Sequence, residues 1–291
     1  MVDLSDPGAT GTPPADVDAV TTAAVGDVHG CLGPLREALI RVGFIDERAR
    51  WIADDARLWF LGDLTDRGPD GVGVLDLVMS LQEQAADHGG TVGCLLGNHE
   101  LMLFAAHLPD GYRLRVVREE DVPDAHALFR ERWFGNGGQD RDSNRLTDAH
   151  LEWIAGLPAM ARSGDHLLMH ADTVGYLEYG DSVKSVNESI GQLLTDPVDV
   201  EEIDHLTHLM TKRFAFASDD GPAAREFLRV FGARQIVHGH SPIPLLLGIE
   251  PSQVTGPLVY AGGYAVNLDT GVFLGGPCLV SALPSVPSQL P

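Results

Sequence analysis

Cysteine is scarce in this chain of 291 residues. The three present (Cys31, Cys94, Cys278) are widely spaced and odd in number, which excludes a disulfide framework and fits a reducing compartment. Positive charge is also scarce: 20 Lys and Arg stand against 42 Asp and Glu, a formal net charge of −22. That balance argues against a nucleic-acid partner, which needs basic surface. No run approaches the eighteen or more apolar residues of a membrane span, so no membrane association is expected. The first residues have neither the basic start nor the apolar stretch of a secretory signal, and a cytoplasmic location is the expectation. What the chain does have is ordinary globular composition, 44% hydrophobic, and length enough to bury a large core.

Residues 1–20 are rich in Pro, Gly, Asp and Thr without hydrophobic periodicity and read as a disordered tail; residues 284–291 read the same way. Between them, 21–283 reads as one domain. Its first half repeats a unit of apolar run, polar loop and helix. "TTAAV" leads into "GDVHG", and Leu32, Leu35, Leu39 and Val42 follow at helical spacing. "RLWFL" leads into "GDLTDRGPDG" and a helix carrying Val72, Leu75, Val78 and Met79. "TVGCLL" leads into "GNHE" and the helical "LMLFAAHL". Alternation of this kind predicts an α/β fold whose polar loops gather at the carboxyl ends of the strands, where such sheets bind ligands.

Residues of about 108–150 break the rhythm and read as an insertion capping the site. Within it Trp133 and Phe134 stand either as packing or as substrate contacts. "HLLMHAD" and "ARQIVHGHSP" predict two further strands ending in histidine, with a helical region over 181–231 between them. The stretch "YAVNLDTGVFLGGPCLVSAL" predicts a closing hairpin turning at Asp269-Thr270-Gly271.

Collected at the predicted strand ends are Asp27, His29, Asp63, Asp66, Arg67, Asn98, His99, His170 and His240. Carboxylate, amide and imidazole without thiolate suit a divalent ion such as Mn, Fe or Zn rather than a structural zinc. At two or three ligands per motif, two ions are the natural count. His238 reads as structural rather than ligating. Cys31 and Cys94 read as small core residues rather than nucleophiles.

"GDVHG", "GDLTDRG" and "GNHE", in that order, resemble the signature of the calcineurin-like metallophosphoesterases, in particular their phosphoprotein phosphatase (PPP) branch. "HAD" and "HGHS" fit the family's two later histidine motifs, so the resemblance spans roughly residues 22–282. It implies an α/β sandwich of two mixed sheets flanked by helices. It implies Asp27 and His29 on a first metal, Asp63 bridging, and Asn98, His170 and His240 on a second. Manganese comes first, with iron, zinc or nickel as further fits.

By the same resemblance a metal-activated hydroxide attacks phosphorus in line, His99 protonates the leaving oxygen, and Asp66 orients His99. Arg67 and Asn98 would hold the phosphate. Arg213, in "MTKRFAF", is the candidate for a second phosphate-binding arginine. "GNGG" (135–138) resembles a loop of bacterial PPP-type enzymes.

Three functions follow as expectations: a bacterial PPP-type protein serine/threonine phosphatase, a symmetrical dinucleoside polyphosphate hydrolase, or an inactive metal-binding scaffold. The "DRG" and "GNHE" forms look like protein phosphatases. "GDVHGC" and the ending look like the nucleotide hydrolases. Pro242 stands where nuclease relatives carry the second histidine of G-H-x-H, which argues against DNA. The substrate expected is therefore a phosphorylated protein or a nucleotide, and nothing in the sequence fixes the oligomeric state.

Overall fold

A computed structural model describes residues 22–109, 111–115, 122–217, 221–283 and 286. The two predicted tails lie outside the described residues except for Val286. The three repeats of the first half form β1 (Thr22–Val25), α1 (Leu32–Arg41), β2 (Arg57–Phe60), α2 (Gly71–Asp87), β3 (Thr91–Cys94) and α3 (Asn98–His107). Asp70 caps α2 by accepting the Gly73 N–H, at the position where a short acidic side chain satisfies an orphan helix donor.

The insertion holds β4 (Leu114–Arg115), α4 (Val122–Gly135), α5 (Asp140–Ser143) and the start of α6 (Asp148–Ala155). After it come β5 (Met160–Ser163), β6 (His166–Met169), α7 (Val183–Leu193), β7 (Val198–Asp199), α8 (Val200–Met210), α9 (Pro222–Phe231) and β8 (Gln235–His238). The chain closes with α10 (Ile243–Leu247), β9 (Leu258–Tyr260), β10 (Ala265–Asn267) and β11 (Ser281–Ala282).

Two mixed sheets face each other. One has the order β11-β1-β2-β3, the other β5-β6-β8-β10-β9, and β4 pairs with β7 at the side. Period-two alternation decides which side chains meet. Leu58 and Phe60 of β2, Leu167 and Met169 of β6 and Ile236 of β8 enter the main core. The residues between or after them fill the gap between the sheets: Ala24, Leu61 and Leu95 against Ala161, Leu168, Val237 and Leu268. This is the sandwich that the family resemblance implies. No helix among the described residues is long and apolar enough to cross a membrane.

Register brings the motifs together. Val25 pairs with Phe60 and Phe60 with Cys94, so three parallel strands end in line and their polar loops emerge side by side. In the second sheet Leu168 pairs with Val237, and the Gly239 N–H donates to the His170 carbonyl, which sets His240 next to His170.

The expected closing hairpin is not formed. The turn at Asp269–Gly271 exists, with Gly271 N–H donating to Asp269 Oδ1. The following chain, however, crosses to the other sheet, where β11 runs antiparallel to β1. The reason is edge availability. β10 already has β8 on one side and β9 on the other, while the outer edge of β1 is open.

Candidate active site

The loops after the two sets of strands converge on a buried group of side chains. Asp27, His29, Asp63, Asp66, Asn98, His99, His170 and His240 are each at most 3% exposed. Five site residues (His29, Asp63, Asp66, Arg67, His240) have φ between +46° and +69°, a left-handed conformation that costs energy outside glycine and concentrates at functional sites.

Backbone groups set the histidine tautomers. His29 Nδ1 lies 2.9 Å from the Thr65 carbonyl, and His170 Nδ1 lies 2.9 Å from the Leu61 carbonyl. A carbonyl only accepts, so Nδ1 carries the proton in both rings; in His29 this turns the Nε2 lone pair inward, as a metal-ligating imidazole requires. Asp27 Oδ1 accepts the His240 N–H at 2.8 Å and leaves Oδ2 without a partner. Both ring nitrogens of His240 are likewise unpartnered and buried.

Two clusters of donor atoms result, each within 4.8 Å: His29, Asp63 and His99, and Asp63, His170 and His240. Asp63 belongs to both. Asp27 Oδ2 lies 3.8 Å from His29 Nε2, at the edge of the first cluster. Asn98 Oδ1 meets His170 Nε2 at 2.9 Å, beside the second.

Charge agrees with that grouping. Burial, then Asp269 and Asp63, hold the Asp27 pKa well above the carboxylate range. Burial works against Asp63 too, but His170, His99 and His29 outweigh it and hold its pKa well below the usual range. Burial, then His99, depress His29; burial, then His170 and Arg213, depress His240. Unpartnered buried oxygens and nitrogens beside three clustered carboxylates are costly unless a cation satisfies them. The residues present therefore fit two divalent cations.

Beside the clusters lies a hydrogen-bonded dyad: His99 Nδ1 is 2.7 Å from Asp66 Oδ2. Arg67 extends its fork across the site, Nη1 to His29 Nε2 at 2.7 Å and Nη2 to His99 Nε2 at 3.0 Å. Its guanidinium stacks on Phe273, 4.5 Å from the ring centroid. An arginine cannot accept, so both imidazoles accept at Nε2. Arg213 donates to the His240 carbonyl from Nε (3.3 Å) and Nη2 (3.1 Å), which places it beside the second cluster. Substituting Arg67→Ala is expected to raise the inhibition constant of inorganic phosphate about 10- to 100-fold, the worth of a charge-assisted bidentate contact. An unchanged constant would contradict a phosphate-binding role.

Sequence reasoning missed several residues. Glu100 is fully buried, and its Oε1 accepts from the N–H of Leu64 (2.8 Å) and Thr65 (3.2 Å). Its Oε2 accepts from Asp63 (2.7 Å) and Gly97 (3.2 Å). Burial, then Asp63, raise its pKa to about 7. It ties the Asp63 loop to the start of α3, and only its place in a first helical turn hinted at this. Gly97 must be glycine: a Cβ there would collide with the Asp63 N–H and carboxylate. Asp172 joins the later motifs, accepting from Ser241 Oγ at 2.8 Å and from the Phe214 N–H at 2.7 Å.

His238 joins neither cluster and bonds the Tyr260 hydroxyl at 2.8 Å. Trp133, left open between packing and substrate contact, is fully buried, so substrate stacking on it is excluded.

The chain is similar to known proteins in sequence and in fold. A symmetrical bis(5'-nucleosyl)-tetraphosphatase of Pseudomonas putida (strain GB-1) is 39% identical over 115 residues, 38% of this chain. That match spans only about a third, 34%, of the relative's own length. An asymmetrical bis(5'-nucleosyl)-tetraphosphatase of Geobacillus thermodenitrificans (strain NG80-2) is 25% identical over 92% of this chain and 94% of its own. The crystal structure of a cold-active protein-tyrosine phosphatase of a psychrophilic Shewanella species shares the fold. It aligns with a TM-score of 0.60 at 20% identity, covering 88% of this chain and 73% of that one. The model of the calcineurin-like phosphoesterases matches residues 20–244, and with all five motifs converging on one site the chain belongs to that family.

Proposed function

We propose that this phosphoesterase is a dinuclear-metal phosphomonoesterase acting on phosphoserine and phosphothreonine, with His99 as the proton donor. The observation that carries the reading is the dyad, His99 Nδ1 to Asp66 Oδ2 at 2.7 Å. A serine or threonine alkoxide is a poor leaving group and needs a proton as it departs. A nucleotide leaving from a polyphosphate is stable as an anion and needs little help. A buried carboxylate dedicated to orienting an imidazole fits the first demand.

Asp27, His29 and Asp63 would hold one cation, and Asp63, Asn98, His170 and His240 the other, with manganese first among the fits to this donor set. When bound, such a pair supplies a water of lowered pKa and polarises the phosphoryl oxygens. The remaining steps belong to the chain. Arg67 turns its fork from the two imidazoles to the phosphate oxygens, which are the better acceptors. Asn98 and Arg213 hold the phosphate from the other side. Asp66 fixes the His99 ring so that Nε2, once the phosphate has drawn the Arg67 guanidinium away and Nε2 has taken up a proton from solvent, faces the leaving oxygen. The unpaired state of all three cysteines, each buried, supports a cytoplasmic setting.

A second reading, hydrolysis of a symmetrical dinucleoside polyphosphate, is favoured by the curated relatives named above. The deciding experiment compares kcat/KM of the manganese-loaded enzyme on phosphoserine and phosphothreonine peptides and on diadenosine tetraphosphate, after a chelator control. A hundredfold preference for peptides is expected. The opposite preference would overturn the assignment in favour of the nucleotide.

His99→Asn is expected to keep its metals and lose about 10²-fold in kcat on a phosphoserine peptide, the lower end of what a general acid supplies. The loss on an activated aryl phosphate, which needs no proton, should be severalfold at most. Equal losses on both would contradict the donor role.

A further inference from the structure

The insertion between α3 and α6 carries none of the motif residues, yet it reaches the dyad at two points. Trp133, near the end of α4, donates its indole N–H to Asp66 Oδ1 at 2.7 Å. The other oxygen of the same carboxylate faces His99. Four residues further on, the Gly137 carbonyl accepts the Arg67 N–H at 2.8 Å. We propose that Trp133 is a positioning residue for the proton donor: its indole N–H fixes the Asp66 carboxylate in the plane that presents Oδ2 to His99. This rests on the assignment of His99 as donor made above.

The argument starts from Asp66, which is fully buried. A carboxylate turns broadly about its last torsion, so its plane is set by the donors around it. A buried oxygen left without a donor is costly enough to rotate the group toward another partner. Oδ1 finds its donor in the indole. An indole N–H only donates, so it orients the carboxylate without competing for the proton that His99 handles.

Trp133 is itself held in place. The His107 ring meets it edge-on at 4.5 Å between centroids, and His107 is pinned by Ser143 Oγ (2.8 Å) and the Leu103 carbonyl (3.0 Å). The Gly138 N–H turns back onto the Trp133 carbonyl at 3.0 Å. A Cβ on Gly138 would collide with the indole. The "GNGG" segment thereby acquires a physical reason: it lets the chain fold closely over the tryptophan and return to Arg67.

A buried tryptophan is most often packing alone, so the test must separate the N–H from the ring. Two replacements do this at position 133: Trp133→Phe, and 3-benzothienylalanine, which keeps the bicyclic shape with sulfur in place of N–H. Each manganese-loaded enzyme is assayed on a phosphoserine peptide and on p-nitrophenyl phosphate, with metal content measured alongside. The proton NMR signal of His99 Nδ1–H is recorded on histidine-labelled protein loaded with diamagnetic zinc in place of manganese, where it reads the hydrogen-bond chain without turnover.

The benzothienyl enzyme is expected to bind two metals, to lose roughly tenfold in kcat on the peptide with KM little changed, and to lose less than twofold on the aryl ester. Its His99 signal should move or broaden. Wild-type turnover on both substrates with an unmoved signal would overturn the proposal, and so would equal losses on both, which mark packing alone. A His99→Asn enzyme with undiminished peptide turnover would overturn the donor assignment itself. That failure is told apart because it does not involve position 133.

Discussion

Asp63→Asn is expected to reduce metal binding from two ions per chain to one or none and to lower turnover by 10³-fold or more. Asp63 is the one residue shared by both donor clusters. Its Oδ1 accepts the His99 N–H at 3.0 Å and lies 3.2 Å from His170 Nε2; its Oδ2 lies 3.7 Å from His29 Nε2 and 3.9 Å from His99 Nε2. Asparagine keeps the volume and one carbonyl oxygen, so the bond to the α3 N-terminus survives only in the rotamer that keeps that oxygen on the helix. It removes the charge and turns an NH₂ toward either the imidazoles or the helix donors. A lost bridging charge is worth several kcal/mol of transition-state stabilisation, and each 1.36 kcal/mol is tenfold in rate. The measurement is metal stoichiometry by elemental analysis beside single-substrate kinetics. Two manganese ions per chain with activity within tenfold of wild type would remove Asp63 from the bridging role.

What could be read from the sequence was the part governed by local order. Strand, polar loop and helix recur three times. Parallel strands that end in register must deliver Asp27, Asp63 and Asn98 to one edge. His170 and His240 follow by the same logic in the second sheet.

What escaped is what depends on contacts between distant segments. The path after Asp269 looked like a hairpin because alternation and turn residues are local signals, whereas the pairing is decided by which strand edge is free. Phe273, on that same path, ends beside the His29 ring at 4.9 Å and under Arg67, a contact no spacing foretells. Trp133 lies 67 residues from Asp66, within a segment whose charged and aromatic character read as a cap. Glu100 stood in view inside "GNHE", but three of its four backbone partners, the N–H groups of Asp63, Leu64 and Thr65, lie 35 to 37 residues upstream, and backbone groups leave no mark in a sequence.

Glu100→Ala is expected to cost about 4–6 kcal/mol of stability, at the extreme of single substitutions, and to abolish metal binding in whatever remains folded. The carboxylate gathers four backbone N–H groups, from Asp63, Leu64, Thr65 and Gly97, with Thr65 Oγ1 at 3.3 Å as a fifth donor. Alanine removes their acceptor, and each stranded buried donor costs about 1–3 kcal/mol, less whatever water enters the space recovers. The conformation at stake is expensive in its own right, since Asp63, Asp66 and Arg67 all hold positive φ in the loop that Glu100 ties down.

Glu100→Gln separates the two contributions. It keeps the volume and one acceptor oxygen but sets an NH₂ against one pair of donors, so a loss of about half the alanine value is expected. Urea denaturation of the metal-free proteins measures both without help from bound cations. A midpoint for the alanine variant close to that of wild type, with the slope unchanged, would mean that the loop keeps its shape unaided. The strain at Asp63 and its neighbours would then have to be balanced by the packing of α3 and not by this carboxylate.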